Sequence, residues 1–232
     1  MFINGFDILW DEVDDYVADI QSIRSIDQFT FNKPVTFFCG ENGSGKSTLL
    51  EALAIKNGLN PEGGTRNYNF STYDSYSDLH NHMRLWRSRK PDWMYFLRAE
   101  SFYNVATKEM EYSGVFSERY HDQSHGQSFF SVLMKQTNKN GLYLLDEPEA
   151  ALSCQNQLAL LYLIQSCVKQ NCQFIIATHS PILLGFPGAQ ILSFDDGKVE
   201  EVDYKSTSSY QTMKLFLDRY DYFVKDIKEN DN

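Results

Sequence analysis

Long hydrophobic runs are missing from this sequence of 232 residues. No apolar stretch approaches the roughly 18 residues that a membrane-spanning helix requires, so we expect no membrane insertion. The first fifteen residues are acidic, and they lack the basic region and apolar run that define a signal peptide. These absences together predict a cytoplasmic protein.

Positive charge is also scarce. The chain has 21 Lys and Arg against 31 Asp and Glu, which gives a formal net charge of −10. Such a surface repels DNA and anionic membranes on average, so unaided DNA binding is not supported by the net charge. One local basic patch, RLWRSRK at residues 84–90, leaves DNA binding open.

Cysteine is used sparingly and without a metal-binding or disulfide pattern. The four cysteines include no CxxC pair and no zinc-ligand spacing. We therefore expect reduced thiols at Cys39, Cys154, Cys167 and Cys172.

Short apolar strands and helical segments alternate along most of the chain. Apolar runs ending at Cys39, Asp146 and Ala177 predict buried strands, and residues 49–58 and 154–171 show the pattern of helices. This alternation is typical of an α/β fold with a mainly parallel central sheet. We expect a single domain over 1–232, with a helical or irregular lobe inserted at roughly 60–135.

Three further segments carry expectations that the structure can test. Residues 22–31 alternate like a strand, residues 78–90 resemble a helix, and residues 189–204 predict a hairpin that turns at Asp196–Gly197. An amphipathic terminal helix is expected to pack on the core, with a partner surface as the alternative. Its apolar face comprises Met213, Phe216, Leu217, Tyr220, Phe223, Val224 and Ile227.

A glycine-rich loop follows the strand that ends at Cys39. The sequence GENGSGKST fits the phosphate-loop pattern G-x-x-x-x-G-K-[ST] in the required strand–loop–helix context. Glycines let backbone amides curl around phosphate oxygens, and the following helix directs its positive end at them. Lys46 would supply charge to the β and γ phosphates, and Ser47 would offer a hydroxyl to Mg²⁺. The expected ATP contacts are Asn42, Gly43, Ser44, Gly45, Lys46, Ser47 and Thr48.

Two acidic residues and one histidine stand at the ends of later strands. Asp146 and Glu147 follow one apolar run, and His179 follows the next. In a parallel sheet such positions converge on the ligand crevice. Asp146 would therefore hold Mg²⁺ with Ser47, and Glu147 would take a proton from the attacking water. His179 would contact the γ phosphate or orient the water. A solvated loop edge and a structural histidine are the alternatives.

The polar stretch DQSHGQSFFSVL, residues 122–133, runs directly into an apolar segment. Ser124 can cap the helix predicted to follow it. A capped helix N-terminus is also an anion site, so the same geometry suits phosphate.

Taken in order, GENGSGKST, LLDEPEAALS and ATHS resemble the ATP-binding-cassette (ABC) superfamily of ATPases, and in particular its soluble SMC- and RecF-like branch. The resemblance implies a phosphate-loop (P-loop) NTPase fold with a small helical lobe. It also implies ATP and Mg²⁺ held between two subunits in a head-to-tail homodimer. In that dimer Lys46, Glu147 and His179 would serve catalysis, and Ser47 and Asp146 would hold the metal.

The resemblance also assigns segments without an obvious role of their own. Residues 149–153 would contact the second subunit, and Ser124, Gly126 and Gln127 would form the signature that faces its ATP. The sequence departs from the family pattern at two places. His125 replaces a glycine of the signature, and Glu100 stands where a glutamine is common, which leaves Arg98 as a candidate for a phosphate contact.

The resulting prediction is an ATP-binding and ATP-hydrolysing switch that acts on an unidentified protein partner. Roles in DNA repair or anti-phage defence fit such an ATPase. A P-loop phosphotransferase and the ATPase subunit of a transporter are the alternatives. The segment between Lys46 and Ser124 is too short for the coiled-coil arms of SMC proteins, which excludes action by arm closure.

Overall fold

A six-stranded sheet organises the chain. The computed structural model describes residues 1–13, 15–65, 76–98, 134, 137 and 139–230. Every strand pair of this sheet is parallel except the last. The prediction of an α/β fold with a mainly parallel central sheet is confirmed. The strands, in spatial order, are β5 (Trp93–Arg98), β6 (Gly141–Asp146), β7 (Gln173–Ala177), β3 (Val35–Cys39), β8 (Gln190–Ser193) and β9 (Glu200–Glu201).

The register of the parallel strands aligns their carboxyl ends. Arg98 lies beside Asp146, Asp146 beside Ala177, and Ala177 beside Phe38. The polar residues that end or follow these strands therefore meet at one edge of the sheet, where ligands bind in open parallel sheets.

A second, antiparallel sheet of three strands packs over one face of the first. It has the order β2 (Gln28–Thr30), β1 (Ile3–Ile8) and β4 (Met83–Arg87). The helix predicted for 78–90 is wrong, since only Leu79–His82 is helical (α3). Strand β4 pairs with β1, and the Trp86 indole donates a hydrogen bond to Asp7 at 2.9 Å. Pairing with a distant strand thus outweighs the local helical periodicity.

The strand predicted for residues 22–31 is present only in part. Gln21–Arg24 forms one helical turn (α1), and the strand is confined to β2. Strand β1 is absent from the sequence prediction altogether. The predicted hairpin is confirmed, with β8 and β9 antiparallel and positive φ at Asp196 and Gly197.

Helices cover both faces of the main sheet. Helix α2 (Lys46–Lys56) shares one apolar core with β1 and one face of the sheet. Helix α4 (Cys154–Val168) and the short α5 (Pro181–Leu184) share a second core on the opposite face. The predicted cap of α4 is confirmed, because the Ser153 hydroxyl accepts a hydrogen bond from the Asn156 amide.

Two buried glutamines tie the sheets together. The Gln173 Oε1 atom accepts hydrogen bonds from the amides of Phe2 and Ile3 at 2.7 and 3.0 Å, and its Nε2 atom donates to the Ile3 carbonyl at 2.8 Å. Gln190 similarly accepts from the Asn32 amide and donates to the Thr30 carbonyl. Gln173 thereby satisfies backbone groups at the start of the chain that would otherwise be buried without partners.

Replacing Gln173 by leucine is expected to destabilise the protein by about 3 kcal/mol, since two amides and one carbonyl lose their buried partners together. Urea denaturation would measure the change in the free energy of unfolding. The exposed Gln165→Leu on α4 is the matched control, and it should change stability by less than about 0.5 kcal/mol. A similar small change for Gln173→Leu would show that water satisfies these groups equally well.

The terminal segment forms two helices, α6 (Ser208–Asp218) and α7 (Tyr220–Asn230), with Arg219 between them. The prediction that their apolar face packs on the core is wrong, because Leu217 and Ile227 remain 66% and 63% exposed. Among the described residues, no helix is both long and apolar enough to cross a membrane.

Candidate active site

The phosphate loop connects β3 to α2 by residues 40–45. Gly43 and Gly45 adopt φ values of +77° and +94°, which side chains other than glycine rarely tolerate. A Cβ atom on Gly45 would also lie 2.8 Å from Ile20 and Ile23. The loop conformation therefore requires glycine at position 45 for both reasons.

Lys46 lies within this loop and is only 3% exposed. Its Nζ atom donates hydrogen bonds to the carbonyls of Gly40 at 2.9 Å and Glu41 at 2.6 Å. Burial lowers the pKa of Lys46, and the nearby carboxylates of Glu147 and Asp195 oppose that effect. The ammonium group is thus held at the centre of the loop by weak neutral acceptors, which a phosphate oxygen could replace.

Ser47 and Asp146 come together from α2 and β6. The Ser47 hydroxyl donates to Asp146 Oδ1 at 2.9 Å, and Asp146 is 5% exposed. A hydroxyl and a carboxylate beside a phosphate loop are the protein ligands that suit Mg²⁺ in P-loop NTPases. The two residues predicted to hold the metal therefore share one location.

Arg98 and Glu51 join this pair, and the sequence analysis did not connect them. Arg98 Nη1 lies 2.6 Å from Glu51 Oε2, and Arg98 Nε lies 3.9 Å from Asp146 Oδ2. Burial raises the pKa of Glu51, against the influence of the guanidinium. Arg98 thus lies beside two carboxylates, and its contact with a phosphate stays a prediction.

Glu147 directly follows Asp146 but has a left-handed backbone, with φ of +48°. Such a conformation costs a non-glycine residue of order 1 kcal/mol and is often found at functional sites. The Glu147 amide donates to the Ala177 carbonyl at 2.9 Å, which fixes the backbone in this geometry. Its side chain stays 42% exposed.

His179 faces Glu147 across the ends of β6 and β7. Its Nε2 atom lies 3.5 Å from Glu147 Oε1, and its backbone amide donates to Glu149 at 2.5 Å. Within the described residues, the buried Nε2 atom has no hydrogen-bond partner. An unsatisfied ring nitrogen beside a candidate base is suited to a phosphate oxygen or a water molecule.

Asp195 supports the phosphate loop from the β8–β9 turn. Its Oδ1 atom accepts a hydrogen bond from the Glu41 amide at 2.9 Å, and a Cβ atom on Gly40 would come within 2.9 Å of it. The sequence pattern predicts only a turn for this segment. No local pattern could reveal the contact, because it depends on β8 lying beside β3.

A cleft of about 840 Å³ lies on the outer side of the loop. It is bordered by residues 41–44, the β8–β9 turn and the first turn of α6. The charged residues of its lining are all acidic, so the cleft does not suit phosphate groups. The acidic lining residues are Asp19, Glu41, Asp195, Asp196 and Glu200.

Part of the predicted site lies outside the described residues. This applies to the signature residues Ser124, Gly126 and Gln127, to His125 and to Glu100. It also applies to most of the lobe expected at 60–135. The described segment 76–98 contributes β4 and β5 to the two sheets.

Family models match the two parts of the chain that build this site. Residues 18–80 match the "AAA domain" model and include the phosphate loop. Residues 125–184 match the "AAA ATPase domain" model and include Asp146, Glu147 and His179.

These two matches support the resemblance to the ABC superfamily of ATPases. The chain is also 28% identical over 195 residues to an "Uncharacterized ABC transporter ATP-binding protein" of Haemophilus influenzae, covering 72% of this chain and 73% of the relative.

The chain also has structural similarity to solved proteins, among them an SMC head domain and an ABC transporter cassette. The SMC head domain from Thermotoga maritima is 13% identical with a TM-score of 0.48, over 87% of this chain and 98% of that one. A dimeric bacterial ABC transporter cassette is 15% identical with a TM-score of 0.42, over 88% and 97% of the two chains.

Proposed function

We propose that this protein binds ATP with Mg²⁺ and hydrolyses it to ADP and phosphate. The observation that carries the proposal is the convergence of Lys46, the Ser47–Asp146 pair and the Glu147–His179 pair at one edge of the sheet. These groups supply phosphate charge, a metal position and a proton acceptor. ATP hydrolysis by a P-loop enzyme requires these three elements.

The phosphates would enter on the Lys46 side of the loop. The loop amides and the N-terminus of α2 would accept the β-phosphate oxygens, and Lys46 would exchange its carbonyl partners for phosphate oxygens. Ser47 and Asp146 would hold Mg²⁺, which neutralises charge on the β and γ phosphates when bound.

The exposed carboxylate of Glu147 would carry out the proton transfer. Water would attack the γ phosphorus while the bond from that phosphorus to the oxygen between the β and γ phosphates breaks. Glu147 would accept the water proton. His179, with its free Nε2 atom, would orient the water or bind a γ-phosphate oxygen. The two neighbouring carboxylates would have different roles because their surroundings differ. Asp146 is buried at the expected metal position, and Glu147 is open to solvent.

A direct assay separates this function from phosphate transfer. We expect the protein to release inorganic phosphate from Mg-ATP without an added acceptor, at a rate proportional to the protein concentration. If phosphate appears only on an added nucleoside or small alcohol, the protein is a phosphotransferase. Constant association with a membrane-embedded chain during purification would indicate the transporter alternative.

We further propose that two copies sandwich the nucleotide and that the switch acts on a partner protein. The resemblance to the ABC superfamily supports this proposal, together with the position of the signature at residues 124–127. Glu149, which holds the His179 amide, begins the segment expected to meet the second subunit. A contact of the second subunit with Glu149 would thus affect the position of His179 through one hydrogen bond.

Ser124→Arg should leave the protein folded and able to bind ATP, while it abolishes dimer formation and lowers hydrolysis to background, because the long arginine side chain would fill the space that the partner's γ phosphate needs. Fluorescent-ATP binding, light scattering and phosphate release would measure the three properties. Ser166→Arg, on an exposed position of α4, is the matched control and should behave like the original chain. Full turnover in Ser124→Arg would remove this stretch from the site.

A further inference from the structure

A cationic side chain occupies the edge of the sheet where the metal would bind. Arg98 ends β5 and lies directly beside Asp146 in the parallel ladder. Its guanidinium contacts Glu51 at 2.6 Å and approaches Asp146 Oδ2 at 3.9 Å. The other oxygen of Asp146 accepts the Ser47 hydrogen bond. Arg98 and the expected metal position therefore share one carboxylate.

Glu51 makes the arrangement unusual for a simple two-ligand site. It lies one helical turn after Ser47 on α2 and is only 9% exposed. A buried carboxylate is costly without a counter-ion, and Arg98 provides one. Without Arg98, the buried carboxylates of Glu51 and Asp146 would lie at this edge without the guanidinium that neighbours both of them.

We propose that Arg98 is a positioning residue that acts as the resident cation of this edge, so that a divalent metal binds there only together with the phosphates of a nucleotide. This inference rests on the proposed binding of Mg-ATP. It adds to that function a reason why metal and nucleotide bind together.

The balance of charges gives the physical reason. In the chain alone, Arg98 neutralises part of the charge of Asp146 and Glu51, so a bare divalent cation gains little attraction and is repelled by the guanidinium. Nucleotide phosphates add several negative charges to the same place and restore the attraction. By linkage, metal then strengthens nucleotide binding by the same factor as nucleotide strengthens metal binding.

Manganese provides the probe. Electron paramagnetic resonance would measure Mn²⁺ affinity for the full chain, first alone and then with saturating ADP. Arg98→Met should tighten Mn²⁺ binding without ADP by about tenfold, because an unshielded carboxylate pair attracts the ion more strongly. The enhancement by ADP should fall by a similar factor. Arg98→Lys keeps the charge and should retain most of the nucleotide dependence.

Glu51→Gln should change the Mn²⁺ affinity in the opposite direction to Arg98→Met. It keeps Arg98 but removes one negative charge, so Mn²⁺ affinity without ADP should fall below that of the original chain. A purely structural role for the ion pair would shift both variants in the same direction. The matched control is Arg87→Met, because Arg87 also joins a strand to α2, through Lys56 and Asn57 at the far end of the helix.

The inference would be overturned if Arg98→Met binds Mn²⁺ without ADP as the original chain does. It would also be overturned if Arg98→Met and Glu51→Gln lose Mn²⁺ affinity equally. Neither result would contradict the proposed hydrolysis of ATP. If Arg98→Met does not fold, the opposite-sign prediction for Glu51→Gln decides. Absence of both ADP and Mn²⁺–ADP binding in the original chain would overturn the proposed function itself, and the inference with it.

Discussion

Glu147→Gln is expected to lower the rate of ATP hydrolysis by about 10²- to 10⁴-fold, which is the usual contribution of a general base. The amide has the size and shape of the carboxylate but cannot accept the water proton. Glu147 has no hydrogen bond to Ser47 or Lys46 among those of the described residues, so ATP affinity should change little. Phosphate release and equilibrium binding of fluorescent ATP would separate the two effects.

The same variant should accumulate the nucleotide-bound dimer, because it retains ATP that it cannot cleave. Light scattering with Mg-ATP is expected to give twice the mass found without nucleotide. Glu200→Gln is the control, since this exposed carboxylate pairs with Lys198 in the described part of the chain, and its loss should alter neither property. A strictly monomeric Glu147→Gln protein would contradict the dimer proposal, and unimpaired hydrolysis would contradict the role of Glu147.

The central motifs could be predicted because each depends on a short local sequence. The phosphate loop needs glycines at fixed positions between a strand and a helix, and the structure gives Gly45 the positive φ and the close packing that exclude a side chain. The apolar run before Asp146 indicates a strand end without knowledge of its neighbours. These strand ends meet because parallel strands place their carboxyl ends at one edge.

The missed features depend on which strands are neighbours. Arg98 meets Asp146 only because β5 and β6 are adjacent, although 42 positions of sequence, most of them outside the described residues, separate the two strands. Asp195 reaches the phosphate loop only because β8 pairs with β3. Gln173 bridges two sheets through hydrogen bonds to residues at the start of the chain.

Local periodicity was misleading where tertiary pairing prevailed. Residues 83–87 show apolar spacing compatible with a helix, yet they complete the antiparallel sheet beside β1. The terminal helices present the opposite case. Their amphipathic pattern is real, but an apolar face does not reveal whether the core of the same chain will cover it.

The second large effect is expected for Lys46→Met, which should weaken ATP binding by about 100-fold, the equivalent of losing strong charged contacts to two phosphates. Methionine retains most of the length and the apolar stem of lysine. Because burial already lowers the pKa of Lys46, its charged form is disfavoured where it lies, and removing that charge relieves a cost. The fold should therefore persist.

The stability of Lys46→Met distinguishes a lost ligand contact from a damaged loop. Its free energy of unfolding in urea should stay within about 1.5 kcal/mol of the original value, because the loss of the Gly40 and Glu41 carbonyl contacts is offset by the relief of burial. Lys56→Met, at the opposite end of α2, is the matched control and should leave ATP affinity unchanged. If both variants weaken ATP binding equally, the effect comes from α2 as a whole. Lys46 would then have no specific contact with phosphate.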